Sequence, residues 1–110
     1  MRSLLTVVLA SLAFATACQP GPKASKDGAL LFDTSCAQCH GHDGKGAPAF
    51  KALGVPDFTD PATQAKFSDA QMMETVQNGS KSRKMPPWRG IYSDEQIRSL
   101  VAHVRSFGPK

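Results

Sequence analysis

The sequence is poor in cysteine, in strand-like patterning and in net charge. Only three cysteines occur among its 110 residues. No stretch alternates apolar and polar residues for long enough to predict a β-strand, and no internal repeat is present, so sheet-based and repeat architectures are excluded. The formal net charge of +4 is too small for the basic footprint of a nucleic-acid-binding protein. A chain this short forms a small core, and small domains often depend on a disulfide, a metal or another non-protein group.

Long apolar runs are also lacking, apart from one at the N-terminus. Arg2 is followed by an apolar stretch from Leu4 to Ala15 and then by small residues, which is the layout of a secretory signal peptide. A membrane-spanning helix needs about 20 apolar residues, and this stretch is shorter. We therefore predict that residues 1–17 are a signal peptide and that the protein is exported. A permanent N-terminal anchor helix is the alternative.

The end of this segment resembles a bacterial lipobox. Ala15, Thr16 and Ala17 precede Cys18, and in a lipobox the cysteine at this place takes up lipid before cleavage. The resemblance departs at Ala15, where the family usually has leucine. It implies a periplasmic lipoprotein tethered to the membrane through Cys18. Ordinary cleavage after the Ala-x-Ala site, which leaves a soluble protein with a free Cys18, remains open.

A short linker separates this segment from the folded part. Residues 18–25 contain Pro20, Gly21 and Pro22 and no large apolar side chain, which favours a flexible tether over regular structure. The predicted domain spans residues 26–110.

Helical signals dominate the domain, and we predict an all-α fold. Three main helices and a shorter candidate are expected, at about residues 26–36, 69–78, 94–107 and 61–66. Capping-box patterns at Ser68–Gln71 and Ser93–Gln96 mark the starts of the second and third main helices. Gly28 weakens the first helix locally and indicates a close approach to another backbone. The segments 41–60 and 79–92 are rich in glycine and proline, and loops of this length in a compact domain are usually functional.

The stretch from Ser35 to Gly46, SCAQCHGHDGKG, concentrates thiols and imidazoles. It contains Cys36, Cys39 and His40 in a C-x-x-C-H sequence, which is the attachment signature of c-type haem. Two thiols three residues apart can reach the two vinyl groups on one edge of a porphyrin, and the next imidazole then faces the iron. With this motif the sequence resembles class I cytochromes c over nearly the whole predicted domain. The resemblance implies a cytochrome c fold whose loops wrap around one covalently bound haem c.

Two other chemistries use paired cysteines. A thioredoxin-like redox centre is typical of a βαβ setting, for which no strand is predicted. A structural zinc site needs four ligands and would have to add His42 or His103. We interpret His42 as a solvated loop side chain, because it stands two residues from His40 and cannot reach the opposite face of the iron.

Met85 is the predicted second axial ligand. It follows the second main helix, and the next residues, Pro86 and Pro87, restrict the backbone. A loop methionine before Pro-Pro-Trp, ahead of the C-terminal helix, also matches the class I pattern. Met72 and Met73 are the other candidates, but their helical spacing is more typical of core residues.

Three further residues receive roles from the resemblance. It implies that the backbone carbonyl of Pro48 accepts a hydrogen bond from the His40 ring and that Trp88 contacts a haem propionate. His103 stands where related sequences often have an aromatic residue that packs on the first helix, so that contact is in doubt. As an iron ligand, His103 would make a bis-histidine site in place of the one with Met85.

Histidine and methionine ligation favours simple electron transfer. It raises the reduction potential relative to bis-histidine ligation and leaves no open position for oxygen. We predict an electron carrier rather than an enzyme, working between respiratory or dehydrogenase partners in the periplasm. Two alternatives are a haem c subunit fixed in a larger complex of this kind and, less favoured, a catalytic or sensor haem protein with a displaceable sixth ligand.

Basic residues are grouped in the two long loops. They are Lys45, Lys51, Lys81, Arg83, Lys84 and Arg89. The resemblance places both loops beside the exposed haem edge, so we expect these charges to steer docking onto acidic surfaces of redox partners. The plainer interpretation is that they are solvated loop charges, some of which pair with haem propionates.

Overall fold

The computed structural model describes residues 25–110, and this part of the chain is helical with no β-strand. Its elements, in chain order, are α1 Gly28–Ser35, α2 Ala37–His40, a 3-10 helix Pro48–Leu53, α3 Pro61–Lys66, α4 Asp69–Asn78 and α5 Asp94–Ser106. The all-α prediction is confirmed. Residues 1–24 lie outside the described range, and with them the predicted signal peptide, most of the tether and Cys18. No helix within residues 25–110 is long and apolar enough to cross a membrane.

The packing of α1 against α5 forms the centre of the core. Leu31 and Phe32 are buried on α1, and Ile97, Leu100 and Val101 are buried on α5. The α5 residues follow one another at i, i+3 and i+4, so they lie on one face of the helix. This face packs with Leu31 and Phe32 of α1.

The start of α1 determines how closely the two helices approach. The side chain of Asp27 caps the helix, because its Oδ1 accepts hydrogen bonds from the N–H groups of Ala29 at 3.0 Å and Leu30 at 3.4 Å. The helix therefore begins at Gly28 rather than at the predicted residue 26, and it ends one residue early. A Cβ at position 28 would lie 2.0 Å from the carbonyl oxygen of Ser99 on α5. The predicted close approach of the Gly28 backbone is confirmed.

Helices α3 and α4 have the predicted bounds but contain no fully buried residue. Ser68 and Gln71 form the predicted capping box at the start of α4. From α5, the Arg105 guanidinium donates to the Asp69 carboxylate at 2.7 Å and to the Phe67 carbonyl oxygen at 2.6 Å. The corner between α3 and α4 is therefore held by polar contacts to α5.

Two short elements were not predicted. The chain breaks at Cys36, with φ −114° and ψ −33°, and continues as α2, whose last residue is His40. The 3-10 helix interrupts the loop predicted over residues 41–60. Pro48 stands at its start, where a proline needs no N–H partner, and Gly54 ends it with φ 81°. Elements this short lack the apolar periodicity on which a helix prediction depends.

Replacing Gly28 by alanine is expected to destabilise the domain. At an open helix position this change would favour the folded state by up to about 1 kcal/mol. Here the added methyl group meets the α5 backbone, and overpacking of this kind costs about 1–3 kcal/mol. Denaturant titration of the purified protein measures the change in the free energy of unfolding. Ala29→Ser, at the exposed neighbouring position, is the control, and an unchanged or higher midpoint for Gly28→Ala would contradict the close packing.

Candidate functional site

Cys36, Cys39 and His40 are grouped where α1 meets α2. Cys36 lies at the junction, and Cys39 and His40 end α2. The turn is closed by a hydrogen bond from the His40 N–H to the Cys36 carbonyl oxygen at 2.9 Å. Both thiols are half-buried and are not joined in a disulfide. One helical turn thus presents two free thiols and an imidazole.

Burial controls the protonation of these groups. It raises the pKa of the Cys36 thiol to about 11, and the neighbouring Cys39 adds to this shift. Cys36 is therefore protonated at neutral pH, whereas a redox-active cysteine requires a low pKa, which argues against a thioredoxin-like centre. Burial also lowers the pKa of His40. The imidazole is thus neutral, which is the form that binds a metal.

The zinc alternative is not supported by the described residues. Within residues 25–110 no three His, Cys, Asp or Glu side chains lie close enough to hold a metal ion among them. His42, one of the proposed additional ligands, has a side chain that is 76% exposed, and its Nδ1 lies 2.9 Å from Asp33 Oδ1. The predicted solvent exposure of His42 is confirmed, while its pairing with Asp33 was not predicted.

His103 packs among aromatic rings on the first helix and at the end of α5. Its ring centroid lies 5.1 Å from that of Phe32 and 4.8 Å from that of Phe107. His103 therefore makes the contact with α1 that its departure from the family pattern had placed in doubt.

Phe58 covers the imidazole of His40. The two rings are stacked, with centroids 5.0 Å apart and an interplanar angle of 18°. The Nδ1 atom of His40 is buried without a hydrogen-bond partner, so the predicted hydrogen bond to the Pro48 carbonyl is not formed. The reason is the path of the chain: the Gly46 N–H donates to the His40 carbonyl oxygen at 2.7 Å, and Pro48 then starts the 3-10 helix.

Hydrogen bonds hold Phe58 from two sides. Its N–H donates to the Gly44 carbonyl oxygen at 2.8 Å, and its own carbonyl oxygen accepts from Gln64 Nε2 at 2.7 Å. The Gln64 amide also donates to the Val104 carbonyl oxygen at 2.9 Å and accepts from Arg105 Nη1 at 3.0 Å. Helices α3 and α5 thus fix the ring that covers His40. Neither Phe58 nor Gln64 was predicted to contribute to the site, and the one signal in the sequence was an aromatic residue in a short polar stretch.

Met85 lies half-buried in a loop that folds back on the end of α4. Its N–H donates to Ser80 Oγ at 3.1 Å, and its carbonyl oxygen accepts from the Ser80 N–H at 3.1 Å. A Cβ at Gly79 would lie 2.7 Å from the Met85 carbonyl oxygen. Glycine therefore permits the close approach of these two backbone segments. The other two candidate methionines are half-buried on α4, and Met73 packs against the core as its spacing predicted.

The segment after Met85 is tied both to α4 and to α1. The Trp88 N–H donates to the Val76 carbonyl oxygen at 2.9 Å. The Trp88 ring stacks on Tyr92 with centroids 5.5 Å apart and an interplanar angle of 14°. Tyr92 is 5% exposed, and its hydroxyl is hydrogen-bonded to the side chain of Ser35. The predicted contact of Trp88 with a propionate remains a prediction.

These donors fit a covalently attached haem. Two free thiols in a C-x-x-C-H sequence, a half-buried neutral imidazole and a thioether in a constrained loop are the groups that attachment and axial ligation require. The protein's own core is also small: its buried hydrophobic side chains within residues 25–110 are Leu31, Phe32, Ala37, Tyr92, Ile97, Leu100 and Val101. A domain with so small a core suits stabilisation by a bound group.

Comparisons with known proteins agree with this assignment. The family described as "Cytochrome C oxidase, cbb3-type, subunit III" matches residues 23–104. The cbb3-type cytochrome c oxidase subunit FixP of Bradyrhizobium sp. (strain ORS 278) is 33% identical over 81 residues, which are 74% of this chain and 27% of that protein. The subunit CcoP of Cereibacter sphaeroides is 33% identical over 84 residues, which are 76% of this chain and 28% of that protein. Among solved structures, the KustC0563 c-type cytochrome has a TM-score of 0.70 and 34% identity, covering 76% of this chain and 99% of that chain.

The fold and the donor set, together with these similarities, define a c-type cytochrome whose cofactor is covalently bound haem c with its iron. Within this class, the chain belongs to the family of subunit III of cbb3-type cytochrome c oxidase. The resemblance to c-type cytochromes is therefore confirmed. The chain spans just over a quarter of the length of the curated relatives described above.

Proposed function

We propose that this chain is an electron-transferring haem c subunit of a respiratory oxidase complex. Its family supports this proposal, and so do the names of its relatives FixP and CcoP, which are subunits of cbb3-type oxidases. The comparisons favour a subunit over the mobile carrier that the sequence analysis placed first. Electron transfer by a haem c is common to both functions.

Four side chains carry the cofactor in this proposal. Cys36 and Cys39 would hold the porphyrin covalently as thioethers, and His40 and Met85 would ligate its iron. The observation that carries the assignment is the half-buried, neutral His40 beside the two free thiols of Cys36 and Cys39 at the α1–α2 junction and on α2. Bound haem iron supplies one-electron chemistry between the ferric and ferrous states. Because protein side chains occupy both axial positions, we infer an electron carrier rather than an enzyme.

Replacing Met85 by alanine is expected to remove the methionine–iron charge-transfer band and to lower the reduction potential. The thioether favours ferrous iron, and axial ligands set haem potentials over a range of about 0.8 V. The variant should also bind carbon monoxide when reduced, because a coordination position is open. Optical redox titration and carbon monoxide binding measure these changes.

Met72→Ala is the matched control, since it removes a half-buried methionine from α4 without altering the loop. It should keep the band, the potential and the resistance to carbon monoxide. If the band survived in Met85→Ala and disappeared in Met72→Ala or Met73→Ala, the axial assignment would be wrong.

A mobile periplasmic carrier is the second candidate function. The observation that favours it is the coverage of the KustC0563 c-type cytochrome, of which 99% is matched by this chain. Solubilising native membranes in mild detergent should distinguish a fixed subunit from a mobile carrier. We expect the haem protein to co-purify with a larger redox complex through salt washing, whereas release as a monomer would favour the carrier.

Export and membrane tethering are also part of the proposal. Residues 1–17 would direct export, acylated Cys18 would hold the protein at the membrane, and residues 18–25 would link it to the cytochrome domain at residues 26–110. The layout of the N-terminal sequence supports this arrangement.

Basic side chains around Met85 support docking to acidic redox partners. Lys81, Arg83, Lys84 and Arg89 are exposed, and none of them takes part in the ion pairs found within residues 25–110. Lys45 and Lys51 are exposed as well, but they lie near Asp57. The pKa of Asp57 is lowered first by hydrogen bonds from Thr59 and to a smaller extent by these two lysines. We therefore assign the docking role mainly to the loop that carries Met85.

Reversing the charge of Lys81 or Lys84 to glutamate is expected to slow electron exchange with native membranes. At low ionic strength the loss of steering should reduce the bimolecular rate by roughly tenfold, and raising the salt concentration should narrow the difference. Lys110→Glu, which makes the same change of net charge at the C-terminal residue, is the control. Equal slowing by all three variants would mean that net charge, and not this loop, controls the rate.

A further inference from the structure

A side-chain hydrogen bond joins the two parts of the chain that supply the haem ligands. Ser35 directly precedes Cys36, and its hydroxyl is bonded to the hydroxyl of Tyr92, 57 positions further along the chain. This hydrogen bond connects the end of α1 to the segment that follows Met85. Its two partners are thus close in sequence to a thioether cysteine on one side and to the methionine loop on the other.

Tyr92 contacts Trp88, which lies only three residues after Met85. Its ring is buried and stacks on Trp88, with centroids 5.5 Å apart. Tyr92 and Trp88 are also joined through the backbone, because the Tyr92 N–H donates to the Trp88 carbonyl oxygen at 3.1 Å. Between Trp88 and Met85 stand only Pro86 and Pro87, whose φ angles are restricted by their rings.

Besides the packing of Tyr92 and Trp88 with the core, the loop is hydrogen-bonded mainly to α4. The backbone N–H groups of Trp88 and Arg89 donate to carbonyl oxygens of α4, at 2.9 and 3.0 Å. Helix α4 itself contains no fully buried residue and packs mainly on α5. These bonds therefore hold the loop to α4, but they do not fix α4 and the loop relative to Cys36. The Ser35–Tyr92 bond supplies a directional link there, in addition to the packing of the Tyr92 ring in the core.

We propose that Ser35 and Tyr92 are positioning residues that hold the Met85 thioether in place on the iron. This inference rests on the proposed axial ligation by Met85. When the hydrogen bond is lost, the loop can move away from the α1 side more easily, and an external ligand displaces the methionine at a lower concentration. The hydroxyls act through the position of the loop and do not themselves touch the iron.

Imidazole titration of the ferric, haem-loaded protein tests the inference. Imidazole competes with the methionine for the iron, and loss of the charge-transfer band measures the displacement. Tyr92→Phe removes only the hydroxyl and keeps the ring, and Ser35→Ala removes the other partner. Each is expected to lower the imidazole concentration at half-displacement by roughly three- to tenfold, which corresponds to one net hydrogen bond. The double variant should show no more than the effect of the stronger single variant, because both changes remove the same bond.

Thr34→Val is the matched control. The Thr34 hydroxyl, next to Ser35 in the sequence, bonds to the Leu30 carbonyl oxygen within α1. Its removal should leave the half-displacement concentration unchanged. Additive effects of Ser35→Ala and Tyr92→Phe, or lower thermal stability with an unchanged imidazole response, would overturn the positioning role. Absence of the methionine band from the unmodified protein would instead refute the axial ligation itself, so the two failures are distinguishable.

Discussion

The packing of α1 on α5 is the constraint on which the rest of the domain depends. Gly28 lets the two backbones approach, since a Cβ there would lie 2.0 Å from the carbonyl oxygen of Ser99. This contact brings Leu31 and Phe32 against the buried face of α5. The C-x-x-C-H turn follows directly after α1. The packing of α1 on α5 therefore determines where its thiols and imidazole lie. A change in the α1–α5 distance would therefore move the haem attachment site as well as weaken the core.

Away from this helix pair, hydrogen bonds take over much of the role of buried apolar side chains. Helices α3 and α4 bury no residue fully, and Gln64 and Arg105 instead connect α3 to α5 and to Phe58. A hydrogen bond of this kind contributes about 1 kcal/mol, but a buried partner left unpaired costs more, so such groups are ordered together. These hydrogen bonds thus hold Phe58, whose ring stacks on His40. On the other side, Ser35 and Tyr92 have the corresponding role for the methionine loop.

Local chemistry explains which features could be predicted from the sequence. The capping boxes at Ser68 and Ser93 involve residues three positions apart, and both form as predicted. The C-x-x-C-H motif was equally readable, because its chemistry depends on the spacing of a few neighbouring residues. The start of α1 was placed too early because Asp27 acts as the cap before the helix and not as a residue within it.

Features that depend on the path of a loop could not be predicted from local sequence patterns. The role of Pro48 was transferred from a family pattern, but in this chain the proline starts a 3-10 helix and the Nδ1 atom of His40 has no partner. The sequence around Phe58 and Tyr92 does not indicate what they contact, since their contacts with His40 and Ser35 join residues that are far apart in sequence. The candidate ligands could thus be proposed from the sequence, whereas the residues that contact them could be identified only from the fold.

The cofactor and its ligands do not by themselves distinguish a fixed subunit from a mobile carrier. The same haem domain is matched within curated oxidase subunits of which it covers about 27%, and within a c-type cytochrome of which it covers 99%. The ligand chemistry is compatible with both settings, so the choice of partner must depend on surfaces outside the ligand set. In the described part of the chain, the clearest such surface is the exposed basic loop around Met85, so the proposed iron ligand and the proposed docking surface lie in one segment. If both proposals hold, any partner that binds this loop also contacts the segment that Tyr92 packs against, and docking would then be physically coupled to the strength of methionine ligation.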